Sequence, residues 1–114
     1  MSPEALEAAA LALPATEKVV QWGGADVYKV GGRVFALKTL EGAQSIKVSD
    51  IAYAVLVETG RARPAPYLAR AKWVAFDRLA DLDAEEVRGW LAAAHALVAA
   101  RLTRRARAEL GLAV

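Results

Sequence analysis

The chain has no cysteine and a single histidine, His95, among its 114 residues. Thiolate chemistry, disulfide stapling and zinc sites built on Cys and His therefore lose their ligands. Asparagine is absent too. No apolar run approaches the roughly 18–20 residues that a membrane-spanning helix needs, and the opening Met1-Ser2-Pro3-Glu4 is acidic where a signal peptide is basic. The expectation is a cytoplasmic protein with no membrane partner. A chain of this length builds one core, so a single domain over 1–114 is expected rather than two lobes around a cleft.

The 56% hydrophobic fraction overstates burial, because much of it is alanine, which a helix exposes at little cost. The net charge of +2 hides an asymmetry. Residues 1–60 carry five basic and seven acidic side chains, whereas residues 61–114 carry ten and six. A basic half permits an anionic partner, although basic side chains also snorkel over cores and balance helix ends.

Ser2-Pro3-Glu4 opens a short helix over 3–13, with Leu6, Ala10 and Leu13 on one face and Pro14 as its stop. From Lys18 to Val48 the apolar period becomes two. Lys18–Trp22 reads as a strand, and Asp26–Val30 and Arg33–Leu37 as a hairpin around Gly31-Gly32. An unbroken register sets Tyr28 opposite Phe35 and Asp26 opposite Leu37 on the buried face. Lys29, Val27, Val34, Ala36 and Lys38 then fall on the other. A strand over Gln44–Val48 adds Lys47 to that second face. Asp50 caps a helix to about Glu58, Arg61–Pro66 reads as irregular because of its two prolines, and Lys72–Leu79 is a further strand. Asp83 and Glu86 open a long helix to about Leu102, striped with Val87, Trp90, Leu91, Ala94 and Val98. Its opposite side is Gly89, Ala92, Ala93, Ala96 and Ala100. Arg101, Arg104, Arg105 and Arg107 lead into a last short helix. The order predicts an α+β domain, a mainly antiparallel sheet with helices packed on one face.

Most candidate chemistry reduces to structure. His95 has no assured partner for acid–base work and is read as structural. Gly31-Gly32 joins strand to strand, so it is a turn and not a phosphate cradle. Asp77, Asp81, Asp83, Glu85 and Glu86 fit helix capping and the helix dipole better than a metal site. The basic groups carry the functional lead. Lys29, Lys38 and Lys47 on one sheet face, with Arg70, Lys72 and Trp73, interleave cations that meet phosphates with an aromatic that stacks on a base or anchors a wing. The competing reading is an interaction module using Pro64-Ala65-Pro66-Tyr67 and the alanine side of the long helix.

Four segments in this order resemble the MmcQ/YjbR family of small bacterial proteins. They are Leu13-Pro14 through Trp22-Gly23, Val27–Ala36, Pro64–Leu68 with Lys72-Trp73-Val74, and the acidic opening of the long helix with its Leu/Val/Arg-rich end. The resemblance implies a frataxin/CyaY-like fold and a double-wing DNA-binding motif, hence DNA as partner. Because no nucleophile, base and orienting group can be assembled from the residues, the expectation is a non-enzymatic domain with no cofactor, a monomer or weak homodimer. Family members usually carry Asn-Lys before a His-Trp pair. Here the stretch is Ala69-Arg70-Ala71-Lys72-Trp73, so no role resting on that Asn or His carries over. Iron handling of the frataxin kind wants an acidic ridge on the first helix, which offers only Glu4 and Glu7.

Overall fold

Ser2 caps the first helix through its side-chain oxygen, which accepts from the Ala5 amide, and Pro3 sits at the first helical position. A computed structural model describes residues 1–77 and 81–112 and shows this helix, α1, running over Pro3–Leu11. Three antiparallel strands follow: β1 (Thr16–Gln21), β2 (Ala25–Val30) and β3 (Arg33–Lys38). β4 (Gln44–Lys47) precedes α2 (Asp50–Glu58). The cap of α2 is Ser49, whose Oγ accepts from the Ala52 amide at 3.1 Å. Asp50, expected as the cap, occupies the first helical turn instead, where a carboxylate suits the dipole.

The Arg61–Pro66 stretch is less irregular than its prolines suggest. Arg63–Pro64 forms a two-residue strand, β5, paired with β6 (Trp73–Phe76). Pro64 is tolerated because β5 is an edge strand, where a missing amide donor breaks no ladder. A 3-10 turn, η1 (Ala69–Ala71), lies between β5 and β6, and Lys72 after it adopts a left-handed conformation. The expected extension of β6 to Leu79 lies outside the described residues. α3 (Ala84–Ala99) is capped by Asp83 as expected, and α4 (Arg104–Glu109) by Thr103.

The sheet has the order β1-β2-β3-β4-β6-β5, and every neighbouring pair is antiparallel. One face packs on the helices: Tyr28, Phe35, Ile46 and Val74 meet Leu6 of α1, Leu56 of α2 and the Val87/Leu91 stripe of α3. Burying one such Phe or Leu stabilises by about 1.5–3 kcal/mol. The opposite face holds a smaller cluster, Val27, Leu37, Trp73 and Ala75, with Ala65 and Leu68 from the segment between β5 and β6 packed on it.

One irregularity redistributes the side chains. Val30 faces Arg33 and Lys29 faces Val34 as the hairpin turn requires, but Tyr28 then faces Ala36, Val27 faces Leu37 and Asp26 faces Lys38. The extra residue is Phe35, a β-bulge. It moves every later residue of β3 to the face opposite its expected one, so Leu37 leaves the helix side and Lys38 joins it.

Candidate functional site

The bulge divides the lysines. Lys29 stays on the face away from the helices, where its Nζ donates to Gln21 Oε1 at 3.0 Å. Lys38 is on the helix side, 3.7 Å from Asp26, in a polar cluster at the edge of α1. There Lys18 pairs with Glu7 at 2.6 Å, and the Tyr28 hydroxyl donates to Glu7 at 3.2 Å. The hydrogen bond from Lys18 holds the Glu7 carboxyl below its ordinary range and raises Lys18 in turn. Burial first, and the Glu7 charge second, push the Tyr28 hydroxyl upward, so it stays protonated. This cluster is ion-paired internally and offers no free cation. The expected surface bearing Lys29, Lys38 and Lys47 together therefore does not form.

A different grouping does. Lys47 and Trp73 are cross-strand partners on the face away from the helices. Lys47 Nζ donates to the Ala71 carbonyl, which ties it to η1. Arg70 stands exposed on the same turn, and the Lys72 ammonium lies over the Tyr53 ring, 4.9 Å from its centroid. Burial lowers the Lys47 pKa, and the nearby positive charges of Arg101 and Lys72 lower it further, against Asp50. Arg101 comes from just beyond the C-terminal end of α3. The cationic end of the molecule is thus Lys47, Arg70, Lys72 and Arg101, drawn from β4, η1 and the end of α3. Trp73 is 6% exposed and packs under Ala65 and Leu68. Its expected role as a stacking surface is corrected: the segment that brings Arg70 and Lys72 into place is the one that covers it.

The exposed aromatics are elsewhere on this face. The β1–β2 turn, the β3–β4 turn and the stretch after β5 converge on a cavity of about 460 Å³. Its floor is Ala25, Leu37 and Ser45, and its rim carries Trp22, Leu40 and Tyr67. Trp22 is 62% exposed, Leu40 73%, and Tyr67 fully exposed. Trp22 and Tyr67 both hold positive φ, 53° and 66°. Non-glycine residues adopt that region at a cost, and such outliers cluster at functional surfaces.

A family model described as YjbR matches residues 11–97. The chain belongs to the YjbR family. A crystal structure of the Deinococcus radiodurans protein DR2400, with the family-model domain DUF419, superposes with a TM-score of 0.83 at 24% identity, covering 95% of this chain and 86% of that one. At that identity the likeness speaks for the fold. A search of the curated proteins finds no match.

In this YjbR chain the remaining candidates are structural. His95 is buried, its Nε2 is 2.7 Å from the Pro14 carbonyl and its ring meets Phe35 edge-on at 5.4 Å. Gly31 takes a turn conformation, and a Cβ there would lie 2.6 Å from Leu102 Cδ1. Arg63 binds Asp77 through two nitrogens, Arg61 pairs with Glu86, and Arg88 with Glu85. Among the described residues no group of acidic or His side chains could hold a metal. Arg105 pairs with Glu109 and Arg107 turns toward the Ala100 carbonyl, so the C-terminal arginines form no continuous track. Sequence reasoning missed Arg101 as a partner of Lys47 because it grouped the arginines by position in the chain. It named Tyr67 only within the Pro64–Tyr67 contact surface and did not bring it together with Trp22 and Leu40, because three turns distant in sequence build that rim. The available signal was a large aromatic beside Gly or Pro in two predicted turns.

Proposed function

We propose that this YjbR protein is a cytoplasmic, non-enzymatic domain that binds nucleic acid through phosphate contacts from Lys47, Arg70, Lys72 and Arg101. The observation that carries the reading is the gathering of these cations from three separate elements at one end, with Lys47 tied to η1 through the Ala71 carbonyl; burial first, and then the charges of Arg101 and Lys72, lower the Lys47 pKa. Like charges held together cost stability unless an anion relieves them, and a phosphodiester backbone is such an anion. Among the described residues no assembled nucleophile, base and orienting group competes with that reading.

Fluorescence anisotropy with labelled DNA tests it. Each phosphate neutralised contributes about 0.9 to the slope of log affinity against log salt on duplex, so three to four contacts give a slope near −3. Replacing Lys47, Lys72 and Arg101 by Ala should weaken binding at least ten-fold and flatten that slope, whereas Lys38→Ala should change neither. Absence of binding to duplex and single-stranded DNA at low salt sinks the reading. A second reading, a protein-interaction module, has one observation in its favour. A groove of about 380 Å³ between α2 and α3 is lined by Ala52, Ala93, Ala96, Leu97 and Ala100. A stoichiometric protein partner retained after nuclease treatment would favour it.

A further inference from the structure

The cavity under Trp22, Leu40 and Tyr67 differs in chemistry from the cationic end, and the two share one sheet face. Among the described residues lining it none is cationic, and Glu41 alone is charged. A phosphate or carboxylate would find no counter-charge there. Trp22 and Tyr67 offer ring faces, and Leu37 with Ala25 gives an apolar floor. That floor carries one polar exception. Ser45 is 5% exposed, and it lines the cavity. A serine hydroxyl lining a cavity can donate to and accept from a ligand polar atom.

Ser45 and Lys47 lie two residues apart on the same face of β4, about 7 Å along the strand. A ligand that bridges the two regions must be flat, apolar on its faces, polar at its edge and anionic a short distance away. An unpaired nucleobase attached to its own backbone has that chemistry. Its faces stack on aromatic rings, its edge donates and accepts hydrogen bonds, and its phosphates meet cations.

We infer that this cavity receives one unpaired base of a single-stranded nucleic acid whose flanking phosphates rest on Lys47, Arg70 and Lys72. The inference rests on the nucleic-acid reading above and adds strand selectivity to it. Trp22 and Tyr67 stack on the base, Ser45 hydrogen-bonds its edge, and Glu41 accepts from a base N–H. A carboxylate at the pocket disfavours a duplex backbone and tolerates a base that carries donors.

The test compares two labelled 12-nucleotide strands of equal charge, one of deoxyadenosine and one of abasic sites, together with a 12-base-pair duplex. The full-length protein should bind the deoxyadenosine strand about ten-fold more tightly than the abasic strand, within the range for stacking one base on an aromatic ring. Trp22→Gly provides the decisive variant. Glycine accepts the positive φ of position 22, so the melting temperature should change by only a few degrees. The preference for bases should disappear while affinity for the abasic strand stays unchanged. Replacing Lys47 and Lys72 by Ala should weaken both strands equally. Equal binding of the two strands by the unaltered protein overturns the base pocket and leaves the backbone reading standing. Retention of the base preference by Trp22→Gly also overturns the pocket. Binding of the duplex but of neither strand overturns the pocket alone, and failure to bind strands and duplex alike at low salt overturns both readings.

Discussion

On the helix-covered face Phe35, Ile46 and Val74 are sealed by three helices, whereas on the opposite face Val27, Leu37 and Trp73 are covered by one short stretch that contributes Ala65 and Leu68. The first arrangement pairs its charged groups with one another: Lys38, Asp26, Lys18 and Glu7 form an interlocked cluster beside α1. The second leaves large apolar groups uncovered, among them Trp22, Leu40 and Tyr67 around the cavity that Ser45 also lines. Stability is concentrated on the helix side, and binding chemistry is left to the thinly covered side. The division follows from topology, since every helix of the main core packs on the same face.

That contrast can be broken by substitution. Phe35→Ala should be the most damaging change, at about 4 kcal/mol, because it opens a cavity beneath α3 and removes the ring that His95 meets edge-on. Trp73→Ala should cost about 3 kcal/mol, toward the lower end for its type, because its thin cover can collapse into the space. Urea unfolding checks both, and equal costs would mean that the second face is a full core. His95→Ala should lose about 1–2 kcal/mol, since the Pro14 carbonyl loses its hydrogen bond, and should leave nucleic-acid affinity unchanged. Trp22→Gly should alter stability by no more than about 1 kcal/mol, and in the favourable direction if backbone strain outweighs the entropy of glycine.

The smallest effect concerns pH. The folded pKa of Glu7 lies below its ordinary 4.5 because of Lys18. The stability from this pair is therefore present above 4.5 and lost as pH falls through the lower, folded value. Lys18 is raised above 10.5, so its contribution is present below that value and fades at higher pH. The urea midpoint of the Glu7→Gln variant should fall less steeply on acidification than that of the unaltered protein.

The α+β architecture was legible from periodicity and punctuation. Ser2 and Asp83 cap helices where their spacing says they should, and Gly31-Gly32 turns the hairpin. The bulge was not legible. Phe35, Ala36 and Leu37 are all apolar, so the alternation that would have betrayed a slip is missing, and one hidden residue carried Lys38 to the wrong face. Trp73 escaped for a different reason. Its cover comes from Ala65 and Leu68, and no local pattern states that the Pro-rich segment folds back across the sheet. Of the expected basic residues, Lys47, Arg70 and Lys72 lie at one end of the molecule. Arg101 joins them only because α3 is long enough to carry its end over to β4.

The central claim is that ligand contact runs along the thinly covered face from Lys47 to Trp22. An amide and indole chemical-shift titration with a single-stranded oligonucleotide measures this directly. The account expects perturbations at Lys47, Ser45, Leu37, Lys72, Tyr67 and the Trp22 indole, with Glu7 and Lys38 unmoved. Shifts confined to α3 and the groove beside α2, or spread evenly over both faces, would contradict it.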